Sequence, residues 1–176
     1  MTEPGPPSGP PPAGLFELSA VNVDASPGFE SWLAEERVGL AFTTGTRLFL
    51  VGRTAGGLSI VERTFEGAGG LAALGAQTLY LATRWQIWRL ENALAPGQLD
   101  ASGHDRLFLA QSAHTTGFLA VHDIGVDGAG DPVFPSAQFN CLGVPSRRWN
   151  FTATWRPPFV SGLVAEPRCL LTGVAI

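Results

Sequence analysis

Residues 70–92 read GLAALGAQTLYLATRWQIWRLEN, a stretch that two turn-prone groups divide into three segments. The dividing groups are residues 75–77 and 84–86, and the segments between them are rich in Leu, Tyr, Thr and Ile. Residues of these types favour β-strands, and short turns join antiparallel neighbours. The stretch therefore predicts a β-meander. Because similar stretches lie before and after it, the pattern is typical of the blades of a β-propeller.

The composition agrees with a β-rich globular chain. The 176 residues are 45% hydrophobic and 15% charged, enough apolar material for one sizeable core. The chain also contains 22 Gly and 10% aromatic residues, which favours strands joined by glycine turns over long helices. The expected fold class is all-β, with consecutive antiparallel meanders forming an incomplete propeller of about three blades.

The predicted strands group into these blades by their order along the chain. The first blade takes residues 38–43, 48–52 and 58–65, and it is short unless residues 15–23 supply a further strand. The second blade adds a fourth strand at 106–110, after a polar loop at 96–105. The third blade and the beginning of a fourth are predicted at 120–126, 132–136, 139–144, 151–155 and 171–175.

The two ends of the chain differ from this pattern. Residues 1–14 are mostly Pro, Gly and Ser, so we expect a disordered leader, followed by one partial propeller-like domain at 15–176. Ser26 is placed to cap a short N-terminal helix with Pro27 in its first turn, ending near residue 37. A second short helix is predicted near 162–166. The alternating apolar residues predict a core, which comprises Leu40, Leu48, Leu50, Leu71, Leu79, Leu81, Trp88, Phe108, Ile124 and Phe134.

Charge and targeting signals restrict the partners. The net charge is −4 and the pI about 5.3, so no basic field is available to neutralise phosphates, and nucleic acid is not an expected partner. The first residues, MTEPGPPSGPPPAG, do not have the pattern of a signal peptide, and no apolar run approaches the roughly 20 residues that span a membrane. We therefore expect a cytoplasmic protein. Cys141 and Cys169 are expected to be reduced thiols.

Several stretches resemble a bacterial family catalogued as domain of unknown function 4915. They are SWLAEERVGLAFTT, LYLATRWQIWRLENALAPGQ, HDRLFLAQSAHTTG, VHDIGVD, FNCL and TWRPPFVSGLVAEPRC. The resemblance covers residues 26–176 and implies a propeller-like fold more firmly than any reaction. It also implies further repeats after the position of Ile176, so the chain resembles the N-terminal half of a family member, truncated or degenerate.

The chain departs from that family at four polar positions. Phe118 and Ala120 stand where the resemblance implies Asp, and the run Leu170-Leu171-Thr172-Gly173 stands where it implies His-Leu-Asn-Gly. Polar side chains are thus replaced by apolar or weakly polar ones.

The loops that link one blade to the next lie on one face of a propeller, together with those joining a blade's second and third strands. This arrangement predicts a surface for a small-molecule or peptide ligand, formed by Arg84, Trp85, His114, Gln138 and Arg156. The alternative is structural: Trp85 and Trp155 pack between blades, while the arginines pair with Glu91 or Glu166.

The chemistry of the chain leaves two functions open. No nucleophile-elbow, zinc-protease, P-loop or dinucleotide motif is present in the sequence, and we expect no cofactor. The first interpretation is therefore a non-enzymatic binding or interaction module. The second is a metal-dependent propeller hydrolase with His122 as a ligand, although His122 and Asp123 are adjacent and point to opposite sides of a strand.

Overall fold

The computed structural model describes residues 23–176. The predicted leader and the extended segment before residue 23 lie outside the described residues. The described part of the chain contains one helix, near its start, followed by three antiparallel sheets. The all-β class, the consecutive meanders and the single N-terminal helix are thereby confirmed.

The helix and strands follow one another in simple order. The helix is α1 (Pro27–Glu36), and the first sheet contains β1 (Leu40–Thr44), β2 (Arg47–Thr54) and β3 (Gly57–Thr64). The second sheet contains β4 (Leu71–Leu74), β5 (Thr78–Ala82), β6 (Gln86–Asn92) and β7 (Phe108–Thr115). The third sheet contains β8 (Gly125–Val126), β9 (Pro132–Ser136), β10 (Cys141–Val144) and β11 (Thr152–Trp155). In each sheet, every strand pairs only with its neighbours in sequence.

The helix begins where the sequence predicts. The Ser26 hydroxyl accepts a hydrogen bond from the Phe29 N–H at 3.2 Å. Pro27 has no backbone N–H, so it leaves no unpaired donor in the first turn. At the other end, Arg37 adopts a left-handed conformation and its N–H donates to the Leu33 carbonyl. Leu33 is buried whereas Trp32 is exposed, so only part of the predicted apolar face is covered.

Two hydrophobic clusters fill the spaces between the sheets. One contains Leu48 of the first sheet and Leu79, Leu81 and Leu90 of the second. The other joins the second and third sheets and contains Tyr80, Ala82, Ile87, Leu119, Ile124 and Phe134. Each sheet therefore buries apolar side chains against its neighbour in sequence.

Nine of the ten predicted core residues take part in or border this core. Leu48, Leu79, Leu81, Ile124 and Phe134 are buried, and Leu50, Leu71, Trp88 and Phe108 pack against the first cluster. Leu40 was predicted wrongly. It is 38% exposed, because the face of β1 that carries Leu40 and Phe42 is left uncovered.

Three further predictions of regular structure are wrong. The strand predicted at 120–126 is reduced to β8, because Ala120 has a φ of 50° and interrupts the extended backbone. Residues 171–175 form no strand, and the Val174 N–H donates instead to the Asp123 carboxylate at 2.9 Å. Residues 162–166 form no helix. The Glu166 N–H donates to the carbonyl of Val164, two residues earlier, in a tight turn instead of a helical bond. Within residues 23–176, no helix is both long and apolar enough to cross a membrane.

Candidate functional site

An exposed aromatic pair marks the start of the linker between the second and third sheets. Trp85 lies in the turn after β5, and its ring centroid is 5.9 Å from that of Phe118, at an interplanar angle of 60°. The two side chains are 45% and 51% exposed. The Thr116 N–H donates to the Trp85 carbonyl at 2.9 Å, which fixes the linker beside this turn. The structural alternative required Trp85 to pack between sheets. Because the side chain is about half exposed, it does not do so.

His114 is connected to the same linker through Asn150. The His114 Nε2 lies 2.7 Å from the Asn150 carbonyl oxygen, and the Asn150 amide donates to the Thr116 carbonyl at 3.3 Å. A carbonyl can only accept, so this short contact requires a proton on His114 Nε2, whereas the longer contact from the Ser146 N–H, at 3.4 Å, requires an unprotonated Nε2. We call Trp85, His114, Thr116, Phe118 and Asn150 the linker surface.

Arg84 borders the linker surface. Its Nε lies 3.9 Å from the Glu66 carboxylate, and both side chains are exposed. An ion pair of this length in water contributes little, at most about 1 kcal/mol, so the guanidinium remains available to another anion. The Arg84 N–H also donates to the Glu66 carbonyl at 3.0 Å, which holds the backbone in place.

Gln138 and Arg156 lie next to strands of the third sheet, Gln138 in the turn between β9 and β10 and Arg156 directly after β11. The Gln138 N–H donates to the carbonyl of Leu119, next to Phe118, at 3.3 Å, and its side chain donates to the Ala165 carbonyl at 3.1 Å. Arg156 follows β11 and is exposed, and it makes no hydrogen bond or ion pair with the other described residues. Backbone contacts thus connect the linker to Gln138, while Arg156 stands apart.

A buried asparagine that the sequence analysis missed holds the next loop. Asn140 is 1% exposed and has a φ of 54°, a conformation that Asn tolerates better than most residues. Its side-chain oxygen accepts from the Arg168 and Cys169 N–H groups at 2.8 and 2.9 Å, and its amide donates to the Glu166 carbonyl at 2.6 Å. The predicted pairing of Glu166 is made by Arg168, at 3.0 Å.

His122 is exposed, and the carboxylate of the neighbouring Asp123 already accepts two backbone hydrogen bonds. Asp123 accepts from the N–H groups of Ile124 and Val174, both at 2.9 Å. In residues 23–176, no group of three or more His, Cys, Asp or Glu side chains is arranged to hold a metal ion. Burial raises the pKa of the Cys141 thiol to about 11, which keeps it protonated near neutral pH.

A second constellation connects the first and second sheets. The Ser59 hydroxyl on β3 lies 2.8 Å from His104 Nε2, and His104 Nδ1 lies 3.0 Å from an Asp100 carboxylate oxygen. The other Asp100 oxygen accepts from the Ser102 and His104 N–H groups at 2.8 and 2.9 Å. The hydrogen bond from His104 is the main reason that the pKa of Asp100 is lowered. We call these residues the Ser59–His104–Asp100 chain.

The sequence predicts only a polar loop at residues 96–105. Ser59 and His104 are 45 positions apart, and no local pattern connects a serine within a strand to a histidine in a later loop. The only local signal is the spacing of Asp100 and His104, which suits an Asp side chain that accepts from the backbone of its own loop.

Comparison with known proteins gives a family and no relative of known activity. The family described as Domain of unknown function (DUF4915) matches residues 27–176, which is most of the chain. No curated protein and no solved structure matches it. With helix α1, all three sheets and the loops between them inside the matched region, the chain belongs to the family Domain of unknown function (DUF4915).

Proposed function

We propose that the chain is a binding module and that its ligand, a small molecule or a peptide, lies on the linker surface. The observation that supports this proposal is the Trp85–Phe118 pair, two large aromatic side chains that contact each other at a tilted angle yet are about half exposed. Contiguous apolar groups on a surface are a common mark of binding sites, and Trp is enriched among the residues that dominate binding energy.

The charges around the pair indicate what the ligand carries. Arg84 adjoins Trp85, and its guanidinium has only a long, exposed contact with the Glu66 carboxylate. Arg156, the other arginine of the predicted ligand surface, is exposed after β11 but is not connected to the pair. Guanidinium groups bind carboxylates in a two-pronged geometry. His114 and Gln138 add hydrogen-bonding groups at the border. The preferred ligand is therefore acidic and has an aromatic or apolar body.

A matched pair of tryptophan variants tests this proposal. The probe is a library of immobilised acidic peptides that contain Phe, Tyr or Trp, and the measurement is the affinity of the best-bound peptide. Trp85→Ala is expected to weaken binding by about thirtyfold, the size of a hot-spot truncation. Trp32→Ala is the control, because Trp32 is 42% exposed and pairs with Phe29 on helix α1, which contributes no residue to the linker surface.

Equal losses for the two variants would indicate non-specific aromatic adhesion and contradict the proposal. Arg84→Ala is expected to weaken binding by several-fold, and the loss should shrink at high salt because exposed charges are screened. An Arg84→Ala variant that binds like the wild type would remove Arg84 from the site.

The metal-dependent hydrolase stays a prediction without structural support. His122 is exposed, and the neighbouring Asp123 already accepts two backbone hydrogen bonds. Metal analysis of the purified protein tests it. A stoichiometric divalent ion that is lost in His122→Ala would favour the hydrolase over the binding module.

We further propose that a bacterial, cytoplasmic homodimer completes the propeller from two partial ones. The motivation is apolar surface on the first sheet and in the segment after β11: Phe42 on β1 is 48% exposed, and Phe159 and Ile176 are 71% and 70% exposed. Pairing of such surfaces about a twofold axis would bury them. Light scattering of the eluted protein decides this, since the mass of one chain would contradict the proposal.

A further inference from the structure

We propose that the Ser59–His104–Asp100 chain makes Ser59 a nucleophile for esters and other activated acyl compounds, with His104 as its general base and Asp100 positioning the imidazole. The inference goes beyond a binding role and rests on residues outside the linker surface. It starts from the geometry of two hydrogen bonds, at 2.8 and 3.0 Å, that share one imidazole.

The hydrogen bonds fix which nitrogen of His104 accepts. The Asp100 carboxylate is an acceptor only, so His104 Nδ1 must carry a proton to bond with it. In the neutral imidazole Nε2 is then unprotonated and accepts from the Ser59 hydroxyl. This direction of hydrogen bonding is the one a general base needs, because the proton of Ser59 already points at the group that removes it.

Asp100 is held rigidly enough to position His104. Its first carboxylate oxygen accepts from the Ser102 and His104 N–H groups, and its second oxygen contacts the imidazole. The side chains of Asp100 and His104 are 18% and 23% exposed, so both are partly shielded from water. A carboxylate fixed in this way stabilises the imidazolium that forms when Ser59 loses its proton.

The edge of β3 offers a donor for a developing oxyanion. The Phe65 N–H donates to the Thr46 carbonyl on the β2 side, and the β2–β3 register continues without a shift from residue 57 to 64. Because the backbone alternates, the Ser59 N–H also faces β2, whereas the Ile60 N–H faces the outer edge. Among the described residues no strand pairs with that edge. A backbone N–H directly after the nucleophile can therefore bind the carbonyl oxygen of a substrate.

A groove along the same face of β3 indicates which acyl groups fit. Ser59 and Arg63 are four residues apart on one strand, about 13 Å at the usual rise, and both face the second sheet. The groove has a volume of about 330 Å³, and its lining includes Arg63, Phe65, Leu90 and Phe108. The lining is mixed: Phe65, Leu90 and Phe108 supply apolar surface, while Arg63 and Glu62 carry opposite charges. Ser59 lies outside this lining, so the groove suits the distal part of an acyl chain, one that is apolar and ends in a polar group.

The proposed step is an ordinary acyl transfer. The Ser59 oxygen forms a bond to the acyl carbon while its proton passes to His104 Nε2. The bond between the acyl carbon and the leaving alcohol then breaks, and the alcohol takes the proton from His104. Water hydrolyses the resulting Ser59 ester by the reverse route, which releases the acid and restores the serine.

An alkyl fluorophosphonate tests the inference on the full chain. The Ser59 oxygen would displace fluoride from phosphorus and leave a stable adduct that intact-mass measurement and peptide mapping locate. We expect one adduct, at Ser59, with none in Ser59→Ala. His104→Gln should label at least about 10²-fold more slowly, the size of a lost general base. Ser112→Ala is the matched control, because Ser112 is an exposed strand serine without a His partner among the described residues.

Asp100→Asn distinguishes positioning from a purely structural role. The asparagine oxygen can keep the backbone contacts of the loop, but it no longer fixes the imidazole. We expect slower labelling together with the loss of the downfield imidazole N–H resonance, which Ser59→Ala should retain. Circular dichroism melting of each variant verifies folding. Absence of a Ser59 adduct in the folded wild type, or wild-type labelling of folded His104→Gln, would overturn the inference.

Discussion

The second and third sheets have the same order of four strands but are held together by different groups. In the second sheet every residue of β5 is buried, and antiparallel ladders join β4 to β7 with a single register shift, between Arg89 and Leu90. In the third sheet the first strand, β8, has two residues. In the preceding segment, side chains add to a few long backbone contacts: the Ser136 hydroxyl donates to the Leu119 carbonyl at 2.8 Å, and the Asp123 carboxylate accepts from the Val174 N–H.

This difference separates main-chain from side-chain stabilisation. Ladder hydrogen bonds use groups that every residue except proline carries, so they survive most substitutions. Side-chain hydrogen bonds disappear with the side chain, and a buried group that loses its partner costs about 1–3 kcal/mol. The third sheet should therefore be more sensitive than the second to single polar substitutions, and equally sensitive to apolar ones.

The largest expected effects come from apolar truncations, which test whether the second and third sheets are equally sensitive to them. Phe134 in β9 and Leu81 in β5 are both fully buried. Phe134→Ala should reduce the free energy of unfolding by about 3–5 kcal/mol and Leu81→Ala by about 2–5 kcal/mol, because each leaves a cavity. Urea denaturation measures both. A Phe134→Ala variant that loses less than about 1 kcal/mol would mean that the third sheet is loosely packed.

Two asparagines test the polar difference. Asn140→Ala should reduce the free energy of unfolding by about 2–3 kcal/mol, because it removes the hydrogen bonds of a side chain that is 1% exposed and leaves three partly buried backbone groups of residues 166–169 unpaired. Asn92→Ala in the second sheet is the control. Asn92 makes a similar set of contacts to Leu94 and Leu107 but is only partly buried, so water can replace its amide and the loss should be about 1 kcal/mol.

Thiol labelling of Asn140→Ala provides an independent readout. Cys169 is held by the Asn140 oxygen and should react faster once that contact is removed, whereas Cys141 stays buried and protonated at pH 8. Equal losses of stability for the two asparagine variants, with unchanged labelling of Cys169, would contradict the comparison.

The smallest expected effect concerns the backbone that replaces the missing part of β8. Ala120 has a φ of 50°, a conformation that costs an L-residue roughly 1–2 kcal/mol and glycine almost nothing. Ala120→Gly should therefore stabilise the protein slightly, by about 0.5 kcal/mol after the entropy of glycine is subtracted. Ala73→Gly in β4, whose pairing with β5 has no register shift, should destabilise by about 0.5–1 kcal/mol. A loss of stability in both variants, seen in thermal melts, would show that Ala120 is not strained.

Sequence patterns were sufficient where a structure depends on neighbouring residues. The predicted strand at 132–136 coincides with β9, and the predicted cap Ser26 does bond the first turn of α1. Alternation shows which side chains share a face, but it cannot show whether another sheet covers that face, and Leu40 was misplaced for this reason. The left-handed conformation of Ala120 likewise cannot be predicted from the sequence, because alanine is not a residue type that favours it.

The candidate sites were harder to predict because they depend on distant contacts. Trp85 and His114 were identified from their places in loops, and the structure connects both to the linker. Asn140 and the Ser59–His104–Asp100 chain were missed, since their partners lie 26 to 45 positions away. Polar residues at such separations have no common period, whereas apolar residues on one face repeat regularly.

The pairing of strands only with their sequence neighbours also governs how the chain folds as it is synthesised. The first sheet uses no strand beyond Thr64, and the second none beyond Thr115, so each can close its ladders before the following residues exist. Local pairing of this kind costs little loop entropy and is fast for a β-rich protein. The slower event is the docking of each finished sheet on the one before it, which proceeds from the N-terminus in the order of translation.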